Sequence, residues 1–370
     1  MTAAAAPPIR ALHLFGRPPD FQTERAAAAL RRDVGAGFAV ETRVIGPGGA
    51  YRNLPLAVWG LRGSRPAFDL VHAWDETALT AAAVAGIGPV LYTPMRPLGR
   101  RAVGWLRAVM AYRDVHAVLP SATQRRACVE RGVPLGRCHL IRPGVEFARV
   151  RRRRDPALRA ALGIGPDDVA VLAPGESTPA AGHDLAVWTT SIASIIDPRY
   201  KVLLWGRGPR ARRDAALGAR LGQPELVRVA GWRLGRSVEF EELLPAADVV
   251  LVTARGPVAT LPIAICMAAA LPIVSTVTYT VAELLEDRHT AVMVPRPSAQ
   301  LLARRVVELR RDTSLQWSIS DMGRTEAYEF FALTRFVSQY RAVYRQLATG
   351  ERVEVPEQAP GAGLRFHGRG

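Results

Sequence analysis

Twice along the chain, short apolar segments alternate with longer stretches of helical periodicity. In the first half the apolar segments are IRALHLF (9–15), FAVETRVI (38–45), DLVHAW (69–74), PVLYT (89–93), VHAVL (115–119) and CHLIR (138–142). Helical patterns fall around 21–33, 77–86, 99–113 and 121–131. The second half repeats the plan with VAVLA (169–173), KVLLWG (201–206), LVRVAG (226–231), DVVLVT (248–253), PIVST (272–276) and AVMVP (291–295). Helical segments near 298–311 and 332–348 follow. Strands separated by helices pair in parallel, because a parallel neighbour is reached only by a crossover. The chain of 370 residues is also longer than one core usually serves. An α/β architecture of two Rossmann-like, doubly wound domains facing across a cleft is therefore expected. Ligands of such sheets bind outside the carboxyl ends of the strands.

The boundary between the series falls at ARVRRRRDPALRAALGIGPDD (148–168), whose charge run and Pro-Gly content suit an exposed connection. This gives an N-terminal domain over 1–148, a linker over 149–166 and a C-terminal domain over 167–331. A last helix over 332–349 and a disordered tail over 350–370 complete the division. The uncharged stretch 257–282 is long enough to span a bilayer, but Pro257, Pro262 and Pro272 divide it. It reads as a buried loop–helix–strand unit. The amino terminus, MTAAAAPPIR, lacks the basic region of a signal peptide. A cytoplasmic location, extending to the inner face of the membrane, is expected.

The net charge is +16, and Lys201 is the only lysine among the cations. So basic a surface attracts polyanions and anionic membranes. No helix-turn-helix, RRM or zinc-finger pattern accompanies it, so no nucleic-acid partner is expected. The segment LGRRAVGWLRAVMAYRD (98–114) is basic and amphipathic, with Val103, Leu106, Val109 and Met110 near one side. Packing against the sheet and contact with a membrane surface both fit it. Cys128, Cys138 and Cys266 have no CxxC spacing and read as reduced and buried. The seven histidines form no HExxH, and neither GxSxG nor Walker A occurs. No metal is expected.

VAVLAPGESTPAAGHDLAVW (169–188) has the strand, glycine-containing loop and helix start that cradle phosphates. Its loop nevertheless carries an acid, Glu176, and no Lys or Arg. Further motifs follow in order: IRPGVEF (141–147), GRGP (206–209), VRVAGW (227–232), LLPAADVVLV (243–252), MAAALPIVST (267–276) and VAELLED (281–287). They resemble, in the same order, markers of the retaining GT-B glycosyltransferases of family 4: iPNGVD.F, GdGP, VrflG, lyaaADvfvlPS, EAMAcGlPVVat and gg.pEii.dg. The resemblance spans roughly 115–345, and more thinly 9–95. It implies a GT-B fold, an acceptor-side first domain and a donor-side second domain, with the last helix crossing back to the first. It also implies transfer of a sugar from a nucleotide-sugar, with retention and no metal, to a glycan or lipid acceptor.

GESTPAAGHD (175–184) fits the family's GRLspeKGhD without a gap. The family's Arg falls on Glu176 and its Lys on Ala181, the two cations that grip the donor diphosphate. The E-x7-E motif lies over PVATLPIAICMA (257–268), anchored by Leu261-Pro262, and its glutamates fall on Pro257 and Ile265. Thr260 replaces a glycine, and Glu283 is retained. In the first domain, VHAWD and VLYTPM keep His72, replace a second histidine by Trp74 and the active-site histidine by Met95. A hydrogen bond to a charged group contributes roughly 1.5–3 kcal/mol. Four such losses remove roughly 6–12 kcal/mol, more than the about 4–8 kcal/mol of a millimolar to micromolar complex. Arg207 beside Gly206, Arg255 and Arg96 are candidate replacements, as is the amino end of a helix starting near Thr260. Glu176 is expected to repel diphosphate. Three readings stay open: a divergent transferase, an inactive pseudo-glycosyltransferase that binds, and a scaffold in polysaccharide or cell-envelope assembly.

Overall fold

β1 (Ile9–Phe15) shows why these elements form. From Ala11 onward its side chains are buried on both faces, as a parallel strand covered by helices requires. It ends at Gly16, where an added Cβ would collide with Thr77 and Asp75. Asp75 accepts from the Gly16 amide at 2.6 Å and from the Thr77 and Ala78 amides at 2.9 and 3.0 Å. One buried carboxylate thus ties the end of a strand to the start of a helix.

The computed structural model describes residues 7–45, 54–63, 67–94, 96–151 and 153–351. After β1 come α1 (Phe21–Asp33), β2 (Phe38–Val44), α2 (Leu54–Gly63), β3 (Leu70–Ala73), α3 (Glu76–Ala85), β4 (Val90–Tyr92), α4 (Arg100–Tyr112), β5 (Val115–Leu119), α5 (Ala122–Val129) and β6 (Cys138–Leu140). Then follow α6 (Pro156–Ala161), β7 (Val169–Ala173), α7 (His183–Ile196), β8 (Tyr200–Leu204), α8 (Ala211–Arg220), β9 (Val227–Val229) and α9 (Ala230–Arg233). The last are β10 (Val249–Val252), α10 (Leu261–Ala268), β11 (Ile273–Thr276), β12 (Val292–Val294), α11 (Ala299–Arg311), α12 (Thr313–Phe331) and α13 (Leu333–Thr349).

The described residues divide into two units, one reaching Gly144 and including the chain from Leu333 onward, the other Val145–Ala332. Each holds one parallel six-stranded sheet, in the orders β2-β1-β3-β4-β5-β6 and β12-β11-β10-β7-β8-β9. In unit 1, one face of the sheet is covered by apolar residues of α2, α3, α4 and α5, including Val103, Leu106, Val109 and Met110 of α4. α1 and α13 cover the other face, where Phe336, Tyr340 and Tyr344 meet Ala11, Phe15 and Trp74. In unit 2, α7 and α11 pack on β7, β8, β10 and β11.

All twelve expected strands are present, and 9–15, 115–119 and 169–173 have the expected bounds. The uncharged stretch 257–282 does hold a buried helix and a strand, α10 and β11. Among the described residues, no helix is long and apolar enough to cross a membrane, and the three cysteines are free and buried. The helices α2, α6, α9 and α12 were not expected, and α9 begins inside the segment 226–231 read as a strand. The segment 149–166 differs from an exposed linker. Its α6 is docked by Arg159, 2% exposed, which donates to the Ala246, Gly165 and Asp168 carbonyls and pairs with Asp248 at 2.9 Å. The planar guanidinium satisfies several separate acceptors at once. Beyond Gly350 and Glu351, the tail expected to be disordered lies outside the described residues.

Candidate functional site

Unit 2 starts at the centre of its sheet. The chain lays β8 and β9 on one side of β7, then returns to lay β10, β11 and β12 on the other. Loops leaving β7 and β10 therefore depart to opposite faces, which opens a crevice at the carboxyl ends. The expected donor positions Gly175, Glu176, Ala181, Gly206, Arg207, Pro257, Thr260, Leu261, Pro262, Ile265 and Glu283 all lie on the loops and helix start that follow β7, β8, β10 and β11.

The β7 loop is fastened on both sides. Toward β8, the Ser177 amide donates to the Arg207 carbonyl at 2.8 Å, and the Arg210 amide to the Ser177 carbonyl at 3.0 Å. Gly208, at φ +104°, sits so close that an added Cβ would lie 2.6 Å from the Ser177 backbone. Toward β10, Thr253 Oγ1 donates to the Gly182 and Ala181 carbonyls at 2.8 and 3.1 Å. Arg255 donates its amide to the Ala180 carbonyl at 2.8 Å and pairs with Asp184 at 2.8 Å. Gly175, at φ +83°, rests on Pro262, 3.1 Å from where its Cβ would be. A side chain at Gly175 would both strain the backbone and push α10 away.

Beneath the loop lies His183, which sequence reasoning did not single out. Its Nε2–H donates to the Pro174 carbonyl at 3.2 Å, and its Nδ1 accepts from the Ser177 hydroxyl at 2.9 Å. The carbonyl can only accept, which fixes this tautomer. Burial pushes the imidazole down to about 4, against the opposing effect of the Pro174 hydrogen bond. Asp214 of α8 is wholly buried beside Ser177. Neither of its oxygens meets a donor in good geometry among the described residues. Burial, and then the nearby Asp184, push this carboxyl up to about 6. Neither residue had a signal in the sequence, because each owes its role to a lack of solvent rather than to a motif.

A cation stands beside Glu176 from the neighbouring turn. Arg207 Nε lies 3.7 Å from Glu176 Oε1, and its guanidinium stands 4.8 Å from the centre of the Trp205 ring. Trp205 is fixed by its Nε1–H to the Val238 carbonyl at 2.7 Å and by edge-on Phe240. Glu176 thus carries a matched charge rather than the isolated negative charge expected. Arg255 is held by Asp184. Pro257 is half-buried, and Thr260, Leu261 and Ile265 are buried, with Ile265 at 2% exposure in the core. Thr260 caps α10, its carbonyl accepting from the Ala264 amide at 3.0 Å. Glu283 is buried beside Tyr279, whose phenol is pushed up first by burial and then by that carboxylate.

The first-domain candidates require a correction. His72 and Trp74, expected on the acceptor side, have no surface to offer and belong to the core of unit 1. His72 Nδ1 and His13 Nε2 each lie 2.7 Å from the Tyr344 hydroxyl, and His72 Nε2 lies 2.9 Å from Thr93 Oγ1. Thr93 continues to Tyr340 at 3.1 Å. Trp74 stacks on His72 at 3.9 Å and on Phe15 at 5.9 Å. Burial holds His13 down at about 3 and His72 well below its ordinary value. The cover comes from α13, some 270 residues further on, where local pattern reading has no reach. Arg96 is exposed, and Met95 lies outside the described residues.

Two Rossmann-like units of six parallel strands, with these loops on the second, define the GT-B class of fold. A model of the family described as glycosyl transferases group 1 matches residues 172–312. The chain is 30% identical over 158 residues to the putative colanic acid biosynthesis glycosyltransferase WcaL of Salmonella typhimurium, an alignment covering 41% of this chain. The chain spans 36% of the length of that relative. It resembles the crystal structure of Anabaena Alr3699/HepE in complex with UDP and glucose, with a TM-score of 0.76 and 18% identity, over 92% of this chain and 100% of that one. It also resembles a glycosyltransferase from Rickettsia africae, with a TM-score of 0.75 and 14% identity, over 93% of this chain and 100% of that one.

Proposed function

We propose that the chain is a glycosyltransferase that takes its sugar from a nucleoside diphosphate donor held on unit 2. The observation that carries this reading is the half-buried Arg207, placed where the loops after β7 and β8 are joined backbone to backbone, within the segment that the glycosyl transferases group 1 model matches. Arg207 takes the diphosphate, while the start of α10 adds the Ile263 amide and the positive end of the helix dipole. Pro262 has no amide to give. A partly exposed ion pair at 3.7 Å such as Glu176–Arg207 contributes about 0–1 kcal/mol, so a doubly charged diphosphate displaces Glu176. Transfer with retention and without a metal is the mode that the resemblance implies.

The acceptor is a glycan or lipid. The outer face of α4 favours a partner at an anionic membrane: Arg100, Arg101 and Arg107 are exposed there, with Trp105 at 43% and Tyr112 at 86% exposure. No acidic residue interrupts the stretch from Arg96 to Arg113. The location that follows is cytoplasmic, at the inner face of the membrane. A second reading rests on Pro257 and Ile265, which give the donor's hydroxyls no acceptor. In it, the chain holds a nucleotide-sugar or glycan as a pseudoenzyme or scaffold without transferring.

Calorimetry with UDP and UDP-glucose tests the first reading. Arg207→Ala should weaken binding at least about tenfold, the loss of one charge-assisted hydrogen bond. Glu176→Gln should strengthen it. Absence of any heat at millimolar UDP would end the donor assignment. Binding with no release of sugar to any acceptor would select the second reading.

A further inference from the structure

At the amino ends of the unit 2 strands, opposite the donor loops, the first turns of α12 run beside the entry to β11. A groove of about 290 Å³ lies between them, close to the lower end of the about 300–1,000 Å³ of small-molecule sites. Its base is Ala270 and Pro272, and one wall is formed by Gln316, Trp317, Ser320 and Asp321 of α12. The helix turns Ile319, Gly323 and Ala327 into the protein and leaves the Trp317 indole 72% exposed. Trp317 has no ring partner and no cation over it among the described residues. Asp321, one turn further on the same side, makes no ion pair among the described residues, in a chain of net charge +16.

The polar groups around the indole are held in place. Arg310 Nη1 donates to Gln316 Oε1 at 2.8 Å, and Gln316 Nε2 donates to the Arg310 carbonyl at 3.2 Å. This fixes the amide and leaves one Nε2–H free to donate. Ala270 adopts φ +51°, a left-handed conformation uncommon for a residue with a Cβ, and it lines the groove. A flat apolar ring, a carboxylate able to accept two hydrogen bonds and a fixed amide donor thus share one small concavity.

This chemistry selects its ligand. An anion meets the Asp321 carboxylate, and Arg310 is held by Gln316. A protein interface needs about 800 Å² per partner, more than the groove presents. A pyranose has an apolar C–H face, attracted to the negative face of an indole, and a rim of hydroxyls that donate and accept. We propose that this groove is a second saccharide site, which stacks a neutral sugar ring on Trp317 and holds its hydroxyls with Asp321 and Gln316. The proposal is independent of the donor reading, since none of its residues lies on the donor loops.

The test is calorimetric titration of the full chain with cellopentaose, maltopentaose and mannopentaose at millimolar concentration. At least one should bind. Trp317→Ala should lose binding about tenfold or more, Trp317→Phe should retain it within about threefold, and Asp321→Ala should weaken it. Circular dichroism and UDP binding should be unchanged in all three, which separates this site from the donor site. No binding of any of the three by the wild-type chain, or equal binding by Trp317→Ala, overturns the proposal. So would sedimentation velocity showing that Trp317→Ala abolishes self-association while no saccharide binds, since the groove would then belong to a second copy.

Discussion

Acidification from pH 7.5 to pH 5 should loosen unit 1 far more than unit 2. In unit 1, His13 is held at about 3 by burial, whereas an unfolded histidine titrates near 6.5. Between those values the unfolded chain binds one more proton than the folded one, so stability falls with pH at about 1.4 kcal/mol per unit. From 6.5 to 5 this amounts to about 2 kcal/mol. His72 and His139 are displaced in the same direction by burial, which makes that figure a floor. Unit 2 contains two opposing groups. His183, pushed down to about 4, costs about 2 kcal/mol over the same range. Asp214, pushed up to about 6, takes up its proton in the folded state first and returns about 1.4 kcal/mol by pH 5. The net loss is about 0.6 kcal/mol. Hydrogen exchange resolves the units. After correction for intrinsic rates, protection in β1 and β3 should fall at least about 30-fold, and in β7 and β8 only about threefold. His13→Gln should remove the roughly 30-fold share of the fall due to His13 and leave the share of His72 and His139. Unchanged protection in β1 would mean that water reaches the His13–Tyr344–His72 chain. An equal fall in β7 would mean that Asp214 is ionised in the folded state.

Four further outcomes can be checked directly. Arg159→Ala should destabilise unit 2 by about 3 kcal/mol in denaturant melts, because it strands the buried side of Asp248 and frees α6; a loss under 1 kcal/mol would show α6 to be an ornament. Ala270→Gly should raise stability by about 1 kcal/mol by relieving the φ +51° backbone, and a fall in midpoint would deny that strain. Glu176→Arg should raise affinity for UDP, more at low salt, while lowering thermal stability through the facing Arg207; equal affinity at low ionic strength would place the phosphate elsewhere. In flotation assays, vesicles containing phosphatidylglycerol should retain the chain, and Trp105→Ala with Arg107→Ala should release it. Retention by neutral vesicles alone would remove α4 from the explanation.

Strand positions were legible because parallel strands buried on both faces leave continuous apolar runs such as VAVLA and VHAVL. α12 was not legible, since TSLQWSISDMGRTEAYEFF mixes polar and apolar residues around most of its circumference. α2 is short and almost uniformly apolar, which hides any period. In the loop after β7, the order of motifs singled out Glu176 but not its partner. Arg207 belongs to a different strand's turn, and its distance from Glu176 is set by backbone contacts between Ser177 and Gly208. His72 was misplaced for the same reason on a larger scale. A histidine at the end of an apolar strand looks alike whether solvent or a distant helix covers it.

The seam between α13 and the first sheet of unit 1 has a consequence for synthesis. Tyr344 reaches His72 across 272 positions of sequence, so the ribosome makes one wall of this core last. While the intervening residues emerge, Phe15, Trp74 and Leu91 stay uncovered on one face of the first sheet. Unit 2, made second and continuous over Val145–Ala332, can finish first. The nascent amino-terminal half is thus left waiting as a sticky sheet, the species that a chaperone would recognise. A stop codon anywhere before Phe336 would leave it so permanently.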